Sequence, residues 1–544
     1  MAEHDAPAQS PDEPETPAAG TDRTGVRRLL ALAALIPLGA TVGALALTPP
    51  PEPVGVQHAQ AESRPGASTR FCHGALQLPE ELLGTGTDAE LAVAPPSPEI
   101  SLRTVSAEPA SSLLFGTVSG SATLQEEDGS VRAPSITTRS ADGTVLGDDA
   151  ASQDMGVALQ GMGGIEGAPH VTSATSQSER PVADTIQATA TTSGDYRSLA
   201  MTRCTEPATE ASFLGVSTGR GDSSALVLSN PTERPATASV QLWTEDGPAA
   251  MEGRSQVVVA PGTEERVLLE SVAAGHDAVG VDVSVMGSPL SMHVQTTERD
   301  GLTPGGAEIL APLPAPATEQ VMPGVDVAGT APTVVLANPR GTDTTATIQV
   351  LSAEGPVDSA TLEDVEIPAG TVVSTPLEGL PDGTYAVKVR SQEALTAVTR
   401  SQRTGEDLPG DTVGSPVDFT LVEPAPALRS HGMSALPAGG IGQLTLTGTA
   451  DSAVTVIPIA ADGSAGEALS VEVGADATAT LTAAQLTVGD APAVGITVVP
   501  EVPGTVHAAW THRVRDGAGG LLLSAVPVPG AEGGGAPVTV RLEG

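Results

Sequence analysis

The sequence predicts an all-β protein: an N-terminal transmembrane helix followed by tandem immunoglobulin-like β-sandwich modules. Three observations lead there. One charge-free apolar run, Leu29–Leu47, follows Arg23, Arg27 and Arg28. Beyond it, short apolar runs of period two, rich in Val and Thr, alternate with Gly, Pro and Asp-Gly turns, and no stretch has helical periodicity. Two segments also repeat each other, SSALVLSNPTERPATASVQLWTEDG and APTVVLANPRGTDTTATIQVLSAEG.

The 544 residues exceed one ordinary core and suit three to five domains. Lys and Arg total 25 against 66 Asp and Glu, a formal charge of −41. That balance argues against a nucleic-acid partner and against electrostatic adhesion to an anionic membrane or polymer. Aromatic residues are only 1% of the chain, so its cores must be built from Val, Leu, Ile and Ala.

Residues 1–28 lack apolar periodicity and read as a disordered cytoplasmic tail. Residues 29–48 match the span of a membrane helix, about 20 residues. The arginines before it, with no further basic residue until Arg64, orient the bulk of the chain outside. A cleaved signal peptide ending near Ala46 is the rival reading. Residues 49–70 read as a Pro-rich stalk.

Residues 71–209 form a membrane-proximal β module bracketed by Cys72 and Cys204, the only cysteines. An oxidising compartment suits a disulfide between them, with two free thiols as the alternative. Within this module SSLLFGTVSGSATLQ and DTIQATATTSGDYRSLAMTRC read as strands, and GMGGIEGAP as a glycine-rich loop.

Residues 210–310 and 321–404 are the two clear sandwich repeats. Asn230-Pro231 and Asn338-Pro339 lie 108 positions apart and contain the only asparagines of the chain. Asn tolerates turn geometry and Pro cannot extend a ladder, so both pairs read as structural turns. Residues 429–544 carry a weaker third copy and a tail. Residues 302–320 and 404–428 read as linkers. A period near 110 residues implies tandem domains with separate cores.

The anchor, Cys72, the segment RSLAMTRCTEPATEASFLG and the Leu-x-Asn-Pro repeats resemble a family of uncharacterised, single-pass, membrane-anchored secreted proteins of high-GC Gram-positive bacteria. The resemblance spans nearly all of residues 25–520. Where those relatives carry a Trp soon after the second cysteine, this chain has Ser212-Phe213. The family has no assigned activity, so the resemblance implies a location and no site.

No catalytic, cofactor or metal motif stands out. Gly215-Val216-Ser217-Thr218-Gly219 spells a nucleophile elbow, but a strand follows where that motif needs a helix. Arg220-Gly221-Asp222 spells an adhesion tripeptide of a kind that composition alone produces. His507 and His512, five apart on a strand, point to opposite faces. The Asp-Gly pairs are turns, and Trp243 and Trp510 read as packing residues. The expectation is a non-enzymatic extracytoplasmic envelope protein with a structural or interaction role and no cofactor. Its partner would be an envelope protein or wall component. An envelope enzyme or enzyme accessory, and a surface adhesin or receptor, are the alternatives.

Overall fold

The computed structural model describes residues 66–530, apart from 79–94, 120–132, 148–149, 153–154, 176–179, 195, 252, 254, 302, 408–413 and 518–519. The expected tail (1–28), membrane helix (29–48) and all but the last few stalk residues (49–70) lie outside this range, as do residues 531–544. Among the described residues no helix is long and apolar enough to cross a membrane.

The architecture is all-β, with every named ladder antiparallel and four two-sheet modules in chain order. In the second module one sheet orders Glu210–Val216, Val279–Gly287, Ala236–Thr244 and Gln256–Val259. The other orders Glu264–Leu268, Ser223–Ser229, Ser291–Asp300 and Thr303–Leu310. Alternation in Ala236–Thr244 buries Ala236, Ala238, Val240 and Leu242 on one face, as a half-buried strand requires. The third module repeats the plan. Its single strand Gly383–Thr404 runs through both sheets, pairing first with Ala317–Val327 and Thr344–Ser352, then with Thr333–Ala337 and Val417–Val422. In the second module the corresponding path is interrupted at Ser288-Pro289, because proline cannot supply a ladder N–H.

These modules are β-sandwiches, but their strand order departs from the immunoglobulin constant-type arrangement, where the last strand joins the sixth. Here Ser291–Asp300 pairs with Ser223–Ser229 instead. Several local expectations also change. Residues 302–320 and 404–428 are not plain linkers: Thr303–Leu310, Ala317–Val327 and Val417–Val422 are strands. Glycine in TPGGAEIL suggested a connector. Gly306, at φ +99, is instead a close-approach residue, since a Cβ there would lie 2.9 Å from the Phe419 ring. The expected loop GMGGIEGAP is largely the strand Val157–Glu166, paired along Glu99–Ala107. Ser112–Phe115 is a single 3-10 turn ending on left-handed Gly116, where a strand was expected. The stalk boundary at residue 70 moves inward, because Ala67–Phe71 pairs with His170–Ala174.

The larger departure concerns the separate cores. The last strands of the four modules are Ser198–Arg203, Thr303–Leu310, Val417–Val422 and Leu521–Pro527. Each packs beside two of the others, and the contacts close a ring from first to second to third to fourth and back to first. Leu199 and Leu523 N–H groups both donate to Asp418 Oδ2, at 3.3 and 2.8 Å. The hydrophobic clusters follow the ring. One joins Val105, Leu113, Leu159 and Ile186 of the first module to Leu428, Ile457, Ile496 and Trp510 of the fourth. Another joins Phe213 and Val216 of the second to Val335, Val398 and Leu421 of the third. The described residues accordingly fall in one compact unit.

Candidate functional site

The residues singled out in the sequence have mostly structural placements. Cys72 and Cys204 form a disulfide inside a buried cluster with Ile100, Ile136 and Val171. Asn230 is a buried staple: its Nδ2 donates to the carbonyls of Arg234 at 2.8 Å and Val259 at 3.1 Å, and its Oδ1 accepts the Thr232 N–H at 3.0 Å. Asn338 makes the same set, to Thr342 and Ile367 carbonyls and from the Arg340 N–H. Pro231 and Pro339 follow these asparagines directly, at the ends of Ser223–Ser229 and Thr333–Ala337.

Ser217 lacks the partner that a nucleophile needs. Its hydroxyl donates to Asp222 Oδ2 at 2.5 Å, and the strand Ser223–Ser229 follows. Gly215, the first glycine of that motif, sits at φ +89 at a register shift, and a Cβ there would lie 3.0 Å from Val398 Cγ2. It lets the second module dock on the third. Asp222 of the Arg-Gly-Asp triplet also accepts the Arg299 N–H at 3.0 Å, so its carboxylate is engaged within the fold.

His507 Nδ1–H donates to the Ala425 carbonyl, 2.8 Å away, while His512 is buried beside Arg513, and burial first, then that charge, lowers its pKa to about 4. Trp510 is core, with its ring seated over Gly442, and Trp243 packs against the Gly370 turn of the third module. Glu245, Asp246 and His276 bring three ligand-type atoms within 4.8 Å, a grouping the sequence reading did not single out. Glu245 and Asp246 are on an exposed turn and His276 is half-buried on a separate loop, with His276 Nδ1 and Glu245 Oε2 2.8 Å apart.

The feature with the dimensions of a ligand site lies between the first and fourth modules. It is a groove of about 510 Å³, within the range of small-molecule pockets. Its floor is the central sheet of the first module, where Arg103 pairs with Gly161 on one side and Ile186 on the other. Leu159, Ile186 and Ala188 supply the apolar wall there, and Pro437, Ala461 and Val494 supply it from the fourth module. Gly161 and Gly163 keep the floor low: a Cβ on Gly163 would meet nothing within 4 Å. Sequence reading missed this groove because its glycines resembled a loop and its two walls lie about 300 residues apart.

One of the described residues lining the groove is charged. Arg103 is half-buried, and its desolvation lowers its pKa. Its one hydrogen bond among the described residues is long, 3.4 Å from Nη1 to the Leu436 carbonyl. No carboxylate lines the groove or pairs with Arg103 among the described residues. The other junction arginines differ. Arg400 holds Glu298 in two hydrogen bonds of 2.6 and 2.7 Å, Arg403 and Arg513 share Asp326, and Arg203 pairs with Asp184.

Residues 163–484 match a family of unknown function, DUF5719, over more than half of the chain. The match begins inside the first module and ends inside the fourth, so it does not follow the module borders. No curated protein matches the sequence.

Proposed function

The chain belongs to DUF5719, a family of unknown function, and from that premise we propose that it is a non-enzymatic binding protein of the cell envelope. Its ligand or partner, an envelope or wall component, would be held in the groove between the first and fourth modules. The groove itself is the observation that carries this reading: it has the size and mainly apolar lining of a binding site, with one charged side chain among the described residues that line it. The membrane anchor at 29–48, with residues 1–28 cytoplasmic, belongs to the same proposal and is supported by Arg23, Arg27 and Arg28 before the apolar run.

The test compares the full-length protein with Gly163→Leu, which fills the groove without a left-handed backbone requirement. Crosslinking in intact envelopes should capture a component with the wild type that the variant loses. Turnover of wall polymers by the purified protein, abolished by one carboxylate substitution, would replace this reading with an enzymatic one.

A further inference from the structure

Arg103 stands out among the half-buried cations. Four other arginines at module junctions face carboxylates, as a desolvated charge requires. Arg103 faces an apolar groove, in a chain where acids outnumber bases 66 to 25. The nearest acid in the sheet is Asp184, opposite Val105, and its carboxylate is taken up by Arg203 and the Ala435 N–H; along the other strand pair the acids are Glu99 and Glu166, which sit opposite one another. Four strand residues separate Glu99 from Arg103, roughly 13 Å, beyond the screening length at physiological salt. Among the described residues the guanidinium makes one long hydrogen bond, which leaves donors open beside Gly161, whose would-be Cβ lies 3.6 Å from Arg103 Nε.

We propose that this groove binds a single-chain amphiphile with a carboxylate head, a fatty-acid-like molecule. The carboxylate pairs with Arg103, and the chain runs along Leu159, Ile186 and Ala188 against Pro437, Ala461 and Val494. The proposal rests on the binding role given above and names its ligand class. A carboxylate meets a guanidinium through two parallel charge-assisted hydrogen bonds, which a neutral or cationic head cannot make. The remaining wall is mainly apolar, with the neutral Ser101, Thr104 and Gln160 beside Arg103, and low, with Gly161 and Gly163 leaving space that a side chain would take.

Full-length protein in lipid nanodiscs is equilibrated with a diazirine-bearing dodecanoate. Parallel samples receive the dodecanol and dodecyltrimethylammonium analogues, and crosslinks are mapped by mass spectrometry. Dodecanoate should label the peptides holding 157–166 or 436–438 about tenfold above either analogue. Arg103→Gln should remove about tenfold of that labelling, Arg103→Lys should retain part of it, and Gly163→Leu should abolish it, with the thermal midpoint of each variant checked alongside. Equal labelling by all three probes, or labelling unchanged in Arg103→Gln, overturns the assignment. If dodecanoate leaves the groove unlabelled while Gly163→Leu still loses the captured envelope component, the ligand class is wrong and the binding role stands. If both experiments fail, both fall.

Discussion

Replacing Asp418 by Asn should make the protein more stable than the wild type, and increasingly so as pH rises. Asp418 lies on the closing strand of the third module, where its Oδ2 accepts N–H groups from the closing strands of the first and fourth. Its Oδ1 is buried without a partner. Burial raises its pKa from 3.8 to about 8, against the opposing pull of the backbone donors and Arg400. Between those two values the folded chain holds a proton that the unfolded chain has released. Stability is therefore greatest below the lower value and falls as pH rises through the upper one, by about 1.4 kcal/mol per pH unit. Asn keeps the shape and the acceptor oxygen but cannot ionise. Between pH 5 and pH 8 the variant should gain on the wild type by about 4 kcal/mol, an upper bound for a group whose surroundings relax. Glu308 is buried nearby, and its own pKa is pushed well up by burial and then by Asp418, so relieving that repulsion acts in the same direction. Urea unfolding of both proteins at the two pH values measures the difference. A stability difference that does not change with pH would mean that Asp418 is ionised in the folded protein, and the reasoning about the ring centre would fail.

Three further outcomes are expected. Cys72→Ser should lower the unfolding midpoint of the whole described body, because clusters are shared between modules. Loop closure over 132 residues is worth about 4–5 kcal/mol, and a calorimetric scan with a separate early transition for the first module would contradict this. His73 and His293 lie against each other at the junction of the first two modules, ring centroids 4.5 Å apart and planes tilted by 35°, and neither His73 ring nitrogen makes a close hydrogen bond among the described residues. Burial lowers the His73 pKa from 6.5 to about 4, so the folded state binds fewer protons than the unfolded one across that window. Stability should fall by roughly 3 kcal/mol from pH 6.5 to pH 4. Denaturation at pH 7.5 and 4.5 should show a smaller loss in His73→Gln, and an equal loss would refute the assignment. Gly324→Ala should destabilise by about 2–4 kcal/mol, since φ is +86 and a Cβ would lie 2.7 Å from Thr511 Oγ1 of the fourth module. Gly329→Ala, left-handed but in open space, should cost only about 1 kcal/mol, and equal losses would show that docking is not what Gly324 serves.

Much of the fold was legible because period-two alternation is a local property. ATASVQLWT and TTATIQVLS show their buried faces without reference to anything else in the chain. The Asn-Pro pairs marked equivalent turns, although the sequence could not say that each asparagine ties its own turn to a carbonyl 29 residues onward. The closing strands were harder. TPGGAEIL and VDFTLV lack clean alternation because neighbouring modules bury them on both faces, and a strand buried on both sides loses its pattern. Gly161 and Gly163 misled for a related reason: absent side chains read as a loop when the space they leave is part of the groove.

The sequence by itself determined the all-β class, the repeated module, the acidic surface and the pairing candidates Cys72 and Cys204. Each of these follows from composition, short-range periodicity or an arithmetic of few residues. Only the tertiary structure decided that the modules close a ring, that Asp418 sits where three closing strands meet, and that Arg103 faces a groove whose described lining holds no carboxylate. Those outcomes depend on contacts between residues hundreds of positions apart, such as Val105 and Leu159 against Gly495. Burial of that kind is set by what packs against a strand, and no local pattern records which partner will arrive.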